Sequence, residues 1–468
     1  MGTTARDLFI AFDRSRRRSL RVQVEDGLRE AIRSGRLRAG TAVPSTRALA
    51  ADLEVTRKVI VEAYDQLVAE GYLVSRRGAG TVVNQAPQRR PRTRPSPTEP
   101  ATVKVDFRPG RPDLHLFPRA AWARASRSAM RTLPTRDLAY DDPRGLPVLR
   151  GAIADYLARA RGTRTDPESV IVCAGFSHGF DLVLGVLDAR GHDRMAVEDP
   201  GYAGPRRQLA ARGLRCDGVA VDGDGLRVDA LRRTAARVVH VTPAHQSPTG
   251  VVLSAERRQQ LITWAREVDG YVIEDDYDAE YRYDRRPVGA LQGVAPDRVI
   301  YCGTTSKTLA SGVRLGWLAV PPQLVDPIVA WRHLTDGSTS TILQATFAAF
   351  LAAGDLDRHL RRTRRIYRDR RDAVMTALRR WLPRATPSGV SAGQNVLVTL
   401  PAGINEQAVV QRALAIGVRV EPLADYRPRP ARSDIPGMVL GYGSVPADKV
   451  DHGVRLLARA VDEAGAER

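Results

Sequence analysis

The 468-residue sequence has few cysteines, no long apolar run and almost no lysine. Its three cysteines, Cys173, Cys216 and Cys302, are too few and too scattered for a disulfide scaffold or a thiolate metal site, which fits a reducing compartment and predicts no metal centre. No segment approaches the roughly 18–20 consecutive apolar residues of a membrane span, and the first residues lack the apolar core of a secretion signal. We therefore expect a cytoplasmic protein with no membrane partner.

Lysine is scarce although the chain is strongly basic. The net charge is +19, yet only Lys58, Lys104, Lys307 and Lys449 are lysines among 72 basic residues. Residues 1–100 hold 19 basic and 11 acidic residues, a basic excess at one end that suggests a nucleic-acid-binding region. A solvated basic surface is the commoner meaning of such an excess taken alone.

The chain length predicts two or three domains, and its composition is that of a soluble globular protein. Prolines, arginines and small polar residues fill residues 84–104, which we interpret as a linker. Residues 1–83 have helical patterns and end in short β-like segments. Residues 105–468 alternate helical stretches with short apolar runs, which predicts an α/β domain with a mainly parallel sheet.

The first domain has the pattern of a winged helix-turn-helix. Apolar spacing predicts helices over residues 21–32, 47–53 and 57–70, the last two joined by a short turn. Residues 71–83 then predict a β-hairpin, or wing, with a tip of glycine and arginine. A helical protein-interaction domain with solvated arginines is the alternative.

The chemistry of this domain suits DNA. Thr56, Arg57 and Lys58 open the second helix of the pair and could reach base edges and phosphates in a major groove. Arg76 and Arg77 of the wing could follow a phosphate backbone or enter a minor groove.

The run Ser34–Val83 resembles the winged helix-turn-helix of GntR-type transcription regulators throughout its length. The resemblance places the family's DNA-contacting residues at Arg47, Thr56, Arg57, Lys58, Gly80 and Thr81. One departure is Glu54, where glycine is commoner, and we expect glutamate to cost little there.

In the second domain, Lys307 follows an apolar strand and lies among small hydroxylic residues. Such a lysine can form a Schiff base with an aldehyde cofactor, while Thr304, Ser306 and Arg314 could bind a phosphate. An ordinary surface loop is the alternative, and the commoner one for a lysine picked at random.

Polar groups also follow three other apolar runs. Asp275 and Tyr277 come after one, where a carboxylate could keep a pyridine nitrogen protonated. A small-residue turn at 173–179 leads into a helix predicted from about Phe180, whose N-terminus could bind a phosphate. Tyr202 could stack on a planar cofactor. Solvated turns, helix entry and ordinary packing are the alternatives.

Taken in order, these motifs resemble fold-type I aminotransferases that use pyridoxal 5′-phosphate: a glycine turn, then EDPGY, HQSPTG, EDDYD and TTSK. From Arg21 to Ala460 the chain is similar to the MocR subfamily of GntR regulators, which includes regulators of pyridoxine synthesis. The resemblance implies a multidomain protein: an N-terminal α+β winged helix-turn-helix, a linker and an α/β aminotransferase-like effector domain with a small C-terminal subdomain.

The resemblance also implies roles for individual residues. The cofactor-binding positions would be Lys307 for covalent attachment, Asp275 at the pyridine nitrogen, Tyr277 at the phenolic oxygen, Tyr202 stacked on the ring, and Phe176, Ser177, Thr304, Ser306 and Arg314 around the phosphate. Tyr140 corresponds to a tyrosine that reaches the phosphate of a neighbouring subunit, which implies a homodimer.

Three positions depart from aminotransferases. Phe176 replaces a hydroxylic residue of the phosphate site, and Ser247 replaces the asparagine of an Asn-Pro-Thr-Gly motif. Val439 falls where amino-acid-converting relatives have an arginine that binds the substrate carboxylate; another arginine, such as Arg206, Arg207 or Arg429, could replace it.

Three hypotheses follow. The first is a DNA-binding regulator that senses pyridoxal phosphate, alone or with an amino acid or amine, and controls genes of vitamin B6 or amino-acid metabolism. The second is a working aminotransferase that carries a DNA-binding domain; Val439 argues against it. The third is a regulator whose pocket has lost the cofactor, against which Lys307, Asp275, Tyr277 and Arg314 argue.

Overall fold

The computed structural model describes residues 18–76, 80–84, 103–139, 142–284, 288–428 and 435–465. By its internal packing the chain divides into two compact units, Met1–Thr98 and Glu99–Arg468. Most of the predicted linker lies outside the described residues. No helix in the described part of the chain is long and apolar enough to cross a membrane.

In residues 18–76 and 80–84, the described part of the first unit, the chain forms three helices and a two-stranded antiparallel sheet. They are α1 (Leu20–Arg33), α2 (Thr46–Asp52), α3 (Arg57–Ala69), β1 (Leu73–Arg76) and β2 (Gly80–Val83). Ser45 begins α2 because its side chain accepts a hydrogen bond from the backbone of Ala48. Apolar side chains of all three helices and both strands form one core, which includes Leu28, Leu49 and Ile60. The predicted helix-turn-helix and wing are confirmed.

The turn between α2 and α3 holds Glu54 in a left-handed backbone conformation, with a φ of 49°. A side chain with a Cβ pays roughly 1–2 kcal/mol for that conformation, whereas glycine does not. Our expectation that glutamate costs little at this position is therefore wrong.

Replacing Glu54 by glycine is expected to raise the free energy of unfolding of the first unit by about 1 kcal/mol, because the strain in the turn is removed. Hydrogen exchange of the core amides of α1 and α3 in the full-length protein measures the change. Asp65→Gly is the matched control: Asp65 is an exposed residue inside α3, where glycine should cost about 1 kcal/mol. Equal destabilisation by both substitutions would contradict the strain argument.

The second unit is built on an eight-stranded sheet in the order β4-β11-β10-β9-β8-β5-β6-β7. The strands are β4 (Val170–Cys173), β5 (Arg194–Asp199), β6 (Arg215–Asp222), β7 (Gly225–Leu226), β8 (Val238–Val241), β9 (Tyr271–Asp276), β10 (Val299–Thr304) and β11 (Gly316–Ala319). The neighbours from β10 to β6 are parallel, while β11 and β7 pair antiparallel with their neighbours. The mainly parallel sheet predicted from the sequence is confirmed.

A smaller antiparallel sheet lies near the end of the chain, in the order β12 (Thr386–Ser388), β13 (Asn395–Thr399), β16 (Gly437–Gly441) and β15 (Glu421–Pro422). A separate parallel pair joins β3 (Val105–Asp106) to β14 (Val418–Arg419). This part has its own apolar core, distinct from the cores on the two faces of the large sheet.

Helices cover both sheets of the second unit. They are α4 (Arg119–Thr132), α5 (Pro147–Arg161), α6 (Phe176–Ala189), α7 (Ala203–Ala211), α8 (Val228–Leu231), α9 (Ala255–Glu267), α10 (Pro322–Thr335), α11 (Thr341–Ala352), α12 (Asp355–Trp381), α13 (Glu406–Ala415) and α14 (Ala447–Gly465). Because the strands are buried on both faces, polar side chains are accommodated mainly at the strand ends. We therefore expect a functional site at the carboxyl ends of β9 and β10.

Candidate functional site

The first candidate site is the exposed N-terminal turn of α3 in the first unit. Thr56, Arg57 and Lys58 are all exposed there, as is Arg47 on α2. The Nε atom of Arg57 donates a 3.3 Å hydrogen bond to Oγ1 of Thr46, which links the first turns of the two helices. Cations at a helix N-terminus are not stabilised by the helix dipole, so their clustering here is not explained by helix stability.

The wing adds a second basic position to this unit. Arg76 ends β1 and is exposed, Gly80 begins β2 with a φ of 74°, and Thr81 is half-buried. Arg77 lies outside the described residues. The structure thus exposes most of the predicted DNA-contacting side chains on the two helices of the motif and on the wing.

The second candidate site is a cavity of about 330 Å³ in the second unit. It is lined by Pro109, Gly110, Phe176, Ser177, Tyr202, Thr242, Ser247, Asp275, Tyr277, Thr304, Ser306, Lys307, Ser311, Arg314, Asn395, Glu421 and Tyr426. Every predicted cofactor-binding residue except Tyr140 is among them, and Tyr140 lies outside the described residues. The carboxyl ends of five strands, β4, β5, β8, β9 and β10, and the small sheet contribute to this one cavity.

Lys307 lies in the loop after β10, and its side chain is half-buried in the cavity. Its Nζ atom donates a 2.8 Å hydrogen bond to the carbonyl oxygen of Gly110, from the segment that precedes α4. Burial lowers the pKa of Lys307, although the carboxylates of Asp275, Asp278 and Glu421 partly offset this by stabilising the ammonium. The amine is thus shifted toward its neutral, nucleophilic form.

The pleat of β9 separates three consecutive carboxylates. Glu274 accepts hydrogen bonds from the backbone of Leu291 and Gln292, and Asp276 pairs with Arg161 at 2.5 Å. Both carboxylates thus have partners inside the protein. Asp275 points the other way, into the cavity. It is therefore the one carboxylate of the three that a ligand could contact.

Asp275 is 5% exposed, and burial raises its pKa. Its Oδ2 atom lies 3.5 Å from Nε2 of His240, and its Oδ1 atom has no hydrogen-bond partner among the described residues. Buried carboxylate oxygens are rarely left without a donor. This one has the position and the unfilled acceptor that a protonated ring nitrogen of a cofactor would satisfy.

Hydroxyl and guanidinium groups converge around Gly175, directly before the lining residues Phe176 and Ser177. The position of a Cβ on Gly175 would lie 3.8 Å from Nη1 of Arg314, 3.9 Å from Oγ1 of Thr304 and 4.0 Å from Oγ of Ser306. Glycine leaves that space open. These donors, together with the backbone N–H groups at the start of α6, form a pocket suited to a phosphate.

The helix at this point begins earlier than predicted. It starts at Phe176 rather than near Phe180, because Gly175 has a φ of 92° and lets the chain turn directly into the helix. Phe176 and Ser177 therefore belong to the first helical turn, where N–H groups lack helical partners.

Aromatic side chains complete the walls of the cavity. The hydroxyl of Tyr277 lies 3.0 Å from Nδ1 of His245, which in turn lies 3.1 Å from both carboxylate oxygens of Asp278. Burial raises the pKa of Tyr277, so its hydroxyl stays protonated and able to donate. Tyr202 is 45% exposed at the mouth, with its ring centroid 6.5 Å from that of Phe176.

The small sheet supplies residues that the sequence motifs did not reveal. Val439 is fully buried in an apolar cluster with Leu397, Leu423 and Tyr426, and does not line the cavity. Glu421, its partner across the strands, does line it. Neither Glu421 nor His240, which lies in β8 of the large sheet, belongs to a sequence motif that marks it as a site residue. Only the pairing of strands that are distant in sequence brings them to the site.

Two of the three arginines that could replace the missing carboxylate-binding arginine are described, and neither lines the cavity. Arg206 donates hydrogen bonds to the carbonyl oxygens of Gly201, Asp425 and Tyr426, so its guanidinium holds a loop. Arg207 is exposed and does not line the cavity. Arg429 lies outside the described residues.

Each of the two units matches a known protein family. Residues 104–420 match the family of class I and II aminotransferases, and residues 20–83 match the gntR family of bacterial regulatory proteins. The crystal structure of a multiple substrate aminotransferase from Thermococcus profundus matches with a TM-score of 0.72 at 28% identity, and the match covers 79% of this chain and 94% of that chain. Class I and II aminotransferases are a pyridoxal-phosphate-dependent family.

Two relatives match nearly the whole chain. The probable rhizopine catabolism regulatory protein MocR of Rhizobium meliloti is 33% identical over 96% of this chain and 95% of its own length. The pyridoxine biosynthesis transcriptional regulator PdxR of Corynebacterium glutamicum is 34% identical over 94% of this chain and 96% of its own length. The chain therefore belongs to the MocR-type transcription regulators of the GntR family, in which a winged helix-turn-helix is joined to an aminotransferase-like domain.

Proposed function

We propose that this regulator binds pyridoxal 5′-phosphate in the cavity around Lys307 and that the bound cofactor changes how the protein binds its operator DNA. The observation that carries the proposal is the convergence of three groups in one cavity: a half-buried lysine amine, a buried carboxylate with an unfilled acceptor, and a cluster of anion-binding donors. The three match the aldehyde, the ring nitrogen and the phosphate of this cofactor.

The cofactor, when bound, supplies an aldehyde that reacts with primary amines and a ring that withdraws electrons. Lys307 would hold it covalently, because its amine is shifted toward the neutral form. Asp275 would hold a proton on the ring nitrogen, and His240, 3.5 Å away, would position that carboxylate. Arg314, Thr304 and Ser306 would bind the phosphate, while Tyr277 would donate to the phenolic oxygen and Tyr202 would cover one ring face.

The DNA-contacting residues are a second part of the proposal. We assign base contacts to Arg47, Thr56, Arg57 and Lys58, and backbone contacts to the wing residues Arg76, Arg77, Gly80 and Thr81. Exposed cations at the start of α3 support the first group, because a recognition helix meets base edges with its N-terminal residues.

Replacing Arg57 by alanine is expected to weaken operator binding by about 1–3 kcal/mol and to relax the sequence preference, because one base contact is lost. Arg76→Ala should instead weaken binding to all sequences alike and flatten its salt dependence. Fluorescence anisotropy with operator and scrambled duplexes at several salt concentrations measures both effects. Wild-type operator affinity in the double variant Arg47→Ala, Arg57→Ala would refute this placement.

We also propose a homodimer, with Tyr140 completing the phosphate site of the partner subunit. Exposed apolar side chains support it on α11 and on the two helices that pack against it, α4 and α5: Met130 of α4, Val148 of α5 and Ile342 of α11 are 54%, 64% and 42% exposed. Such exposed apolar groups are typical of interfaces when they lie together. The regulated genes would belong to vitamin B6 or amino-acid metabolism, and the name of the Corynebacterium glutamicum relative supports the first of these.

The proposal is tested by measuring operator binding with and without the cofactor. An operator is first selected from a random-sequence DNA pool with the purified full-length protein. Adding pyridoxal phosphate should change either the affinity for that DNA or the length of the protected region. Pyridoxine 5′-phosphate, which has the ring and phosphate but no aldehyde, is the matched control and should have a much smaller effect. Identical affinity and protection with and without pyridoxal phosphate would refute the sensor function.

A further inference from the structure

The small sheet forms one wall of the cavity. This wall carries a carboxylate where an amino-acid-converting enzyme needs a cation. Glu421 of β15 lies directly opposite Val439 of β16 in an antiparallel pair, so the two side chains project from the same face of the small sheet. Val439 is the position at which the sequence lacks the carboxylate-binding arginine. A carboxylate therefore lies one strand away from that gap and reaches the cavity.

No described residue restores a positive charge at this wall. The only cationic side chains that line the cavity in the described part of the chain are Lys307 and Arg314, which belong to the attachment and phosphate ends. Arg108 and Arg111 lie close enough to Glu421 to influence it, but both pair with Asp106, at 2.5 Å and 3.3 Å. The described side chains that line this wall therefore include a carboxylate and no cation.

Glu421 is incompletely satisfied by the protein. Its Oε2 atom accepts a 2.8 Å hydrogen bond from the hydroxyl of Tyr426, and no ion pair to Glu421 is formed by the described residues. Burial raises its pKa, and the carboxylate of Asp425 adds to this, although the hydrogen bond from Tyr426 and the charges of Arg108 and Arg111 partly offset it. A bound cation would stabilise the charged form of this carboxylate.

We propose that the small-molecule effector of this regulator is an amine with a second cationic group and no carboxylate, a diamine, and that Glu421 binds the second group. The inference rests on the proposed function, because the first amine would bind beside Lys307 and the cofactor. The carboxylate of an amino acid would instead face Glu421 and the apolar cluster around Val439, where like charges repel.

The test compares three four-carbon amines that differ only at the far end: 1,4-diaminobutane, 1-aminobutane and 4-aminobutanoate. Calorimetric titration of each into the full-length, cofactor-loaded protein gives their dissociation constants. We expect 1,4-diaminobutane to bind about 10- to 100-fold more tightly than 4-aminobutanoate, the range of a charge-assisted hydrogen bond. 1-Aminobutane should fall between them. Operator binding in the presence of each amine gives a second readout.

The variant Glu421→Gln keeps the shape of the side chain and removes its charge. It should bind 1,4-diaminobutane and 1-aminobutane with similar affinity. Glu256→Gln, an exposed residue on α9, is the matched control and should keep the wild-type order. Tighter binding of 4-aminobutanoate by the wild type, or an undiminished diamine preference in Glu421→Gln, would overturn the assignment. If the wild type never takes up the cofactor, the proposed function fails and this inference falls with it; normal uptake without a diamine preference overturns the inference alone.

Discussion

Replacing Lys307 by alanine is expected to abolish covalent attachment of pyridoxal phosphate completely. The amine of Lys307 is held in the cavity by its hydrogen bond to Gly110, and burial lowers its pKa. The other three lysines of the chain, Lys58, Lys104 and Lys449, are exposed and do not line the cavity. They therefore lack the neighbouring groups that would hold the cofactor beside the amine.

The measurement is reduction of the cofactor-loaded protein with borohydride, followed by mass spectrometry of its peptides. With only four lysines in the chain, each labelled peptide identifies one residue. The wild type should carry the label on Lys307, and the control Lys449→Ala should match the wild type in label and in visible absorbance. If Lys307→Ala were labelled to the same extent as the wild type, the assignment of the attachment site would be wrong.

Local sequence patterns were sufficient to predict the helices and strands of the first unit. The helix predicted over 57–70 is observed at Arg57–Ala69, because capping residues and apolar spacing act within a few residues of one another. The strain at Glu54 was not predictable in this way, since a residue letter does not report the sign of φ.

In the second unit, the order of motifs predicted the fold and most of the residues that line the cavity. Lys307 and Asp275 could be identified because each lies at the carboxyl end of a strand, and the carboxyl ends of parallel strands meet at one edge of a sheet. Arg314 could be identified from its place seven residues after Lys307. His240 and Glu421 could not, because their approach to the site depends on which strands pair across long stretches of sequence. The early start of α6 depends on the left-handed φ of Gly175, which is likewise a property of the folded chain.

The presence of Glu421 beside Val439 also bears on the result that we expect from an aminotransferase assay. Transamination of an amino acid requires that the substrate be held by its carboxylate, so that the bond to be broken stands perpendicular to the cofactor ring. In this cavity the expected cation is replaced by a buried valine, and a glutamate faces the space beside it. A substrate that is free to rotate loses the advantage of fixed orientation, which can amount to several kcal/mol of barrier.

We therefore expect negligible turnover of common amino acids with 2-oxoglutarate by the cofactor-loaded protein. The assay follows formation of glutamate and of the oxo acid over many minutes, and the multiple substrate aminotransferase of Thermococcus profundus, assayed in parallel, is the positive control. The same protein sample should still show a cofactor-dependent change in operator binding, which separates an inactive preparation from a sensor. Multiple turnovers per minute with any natural amino acid would count decisively against the sensor function, because they would show that this cavity orients a carboxylate without an arginine at position 439.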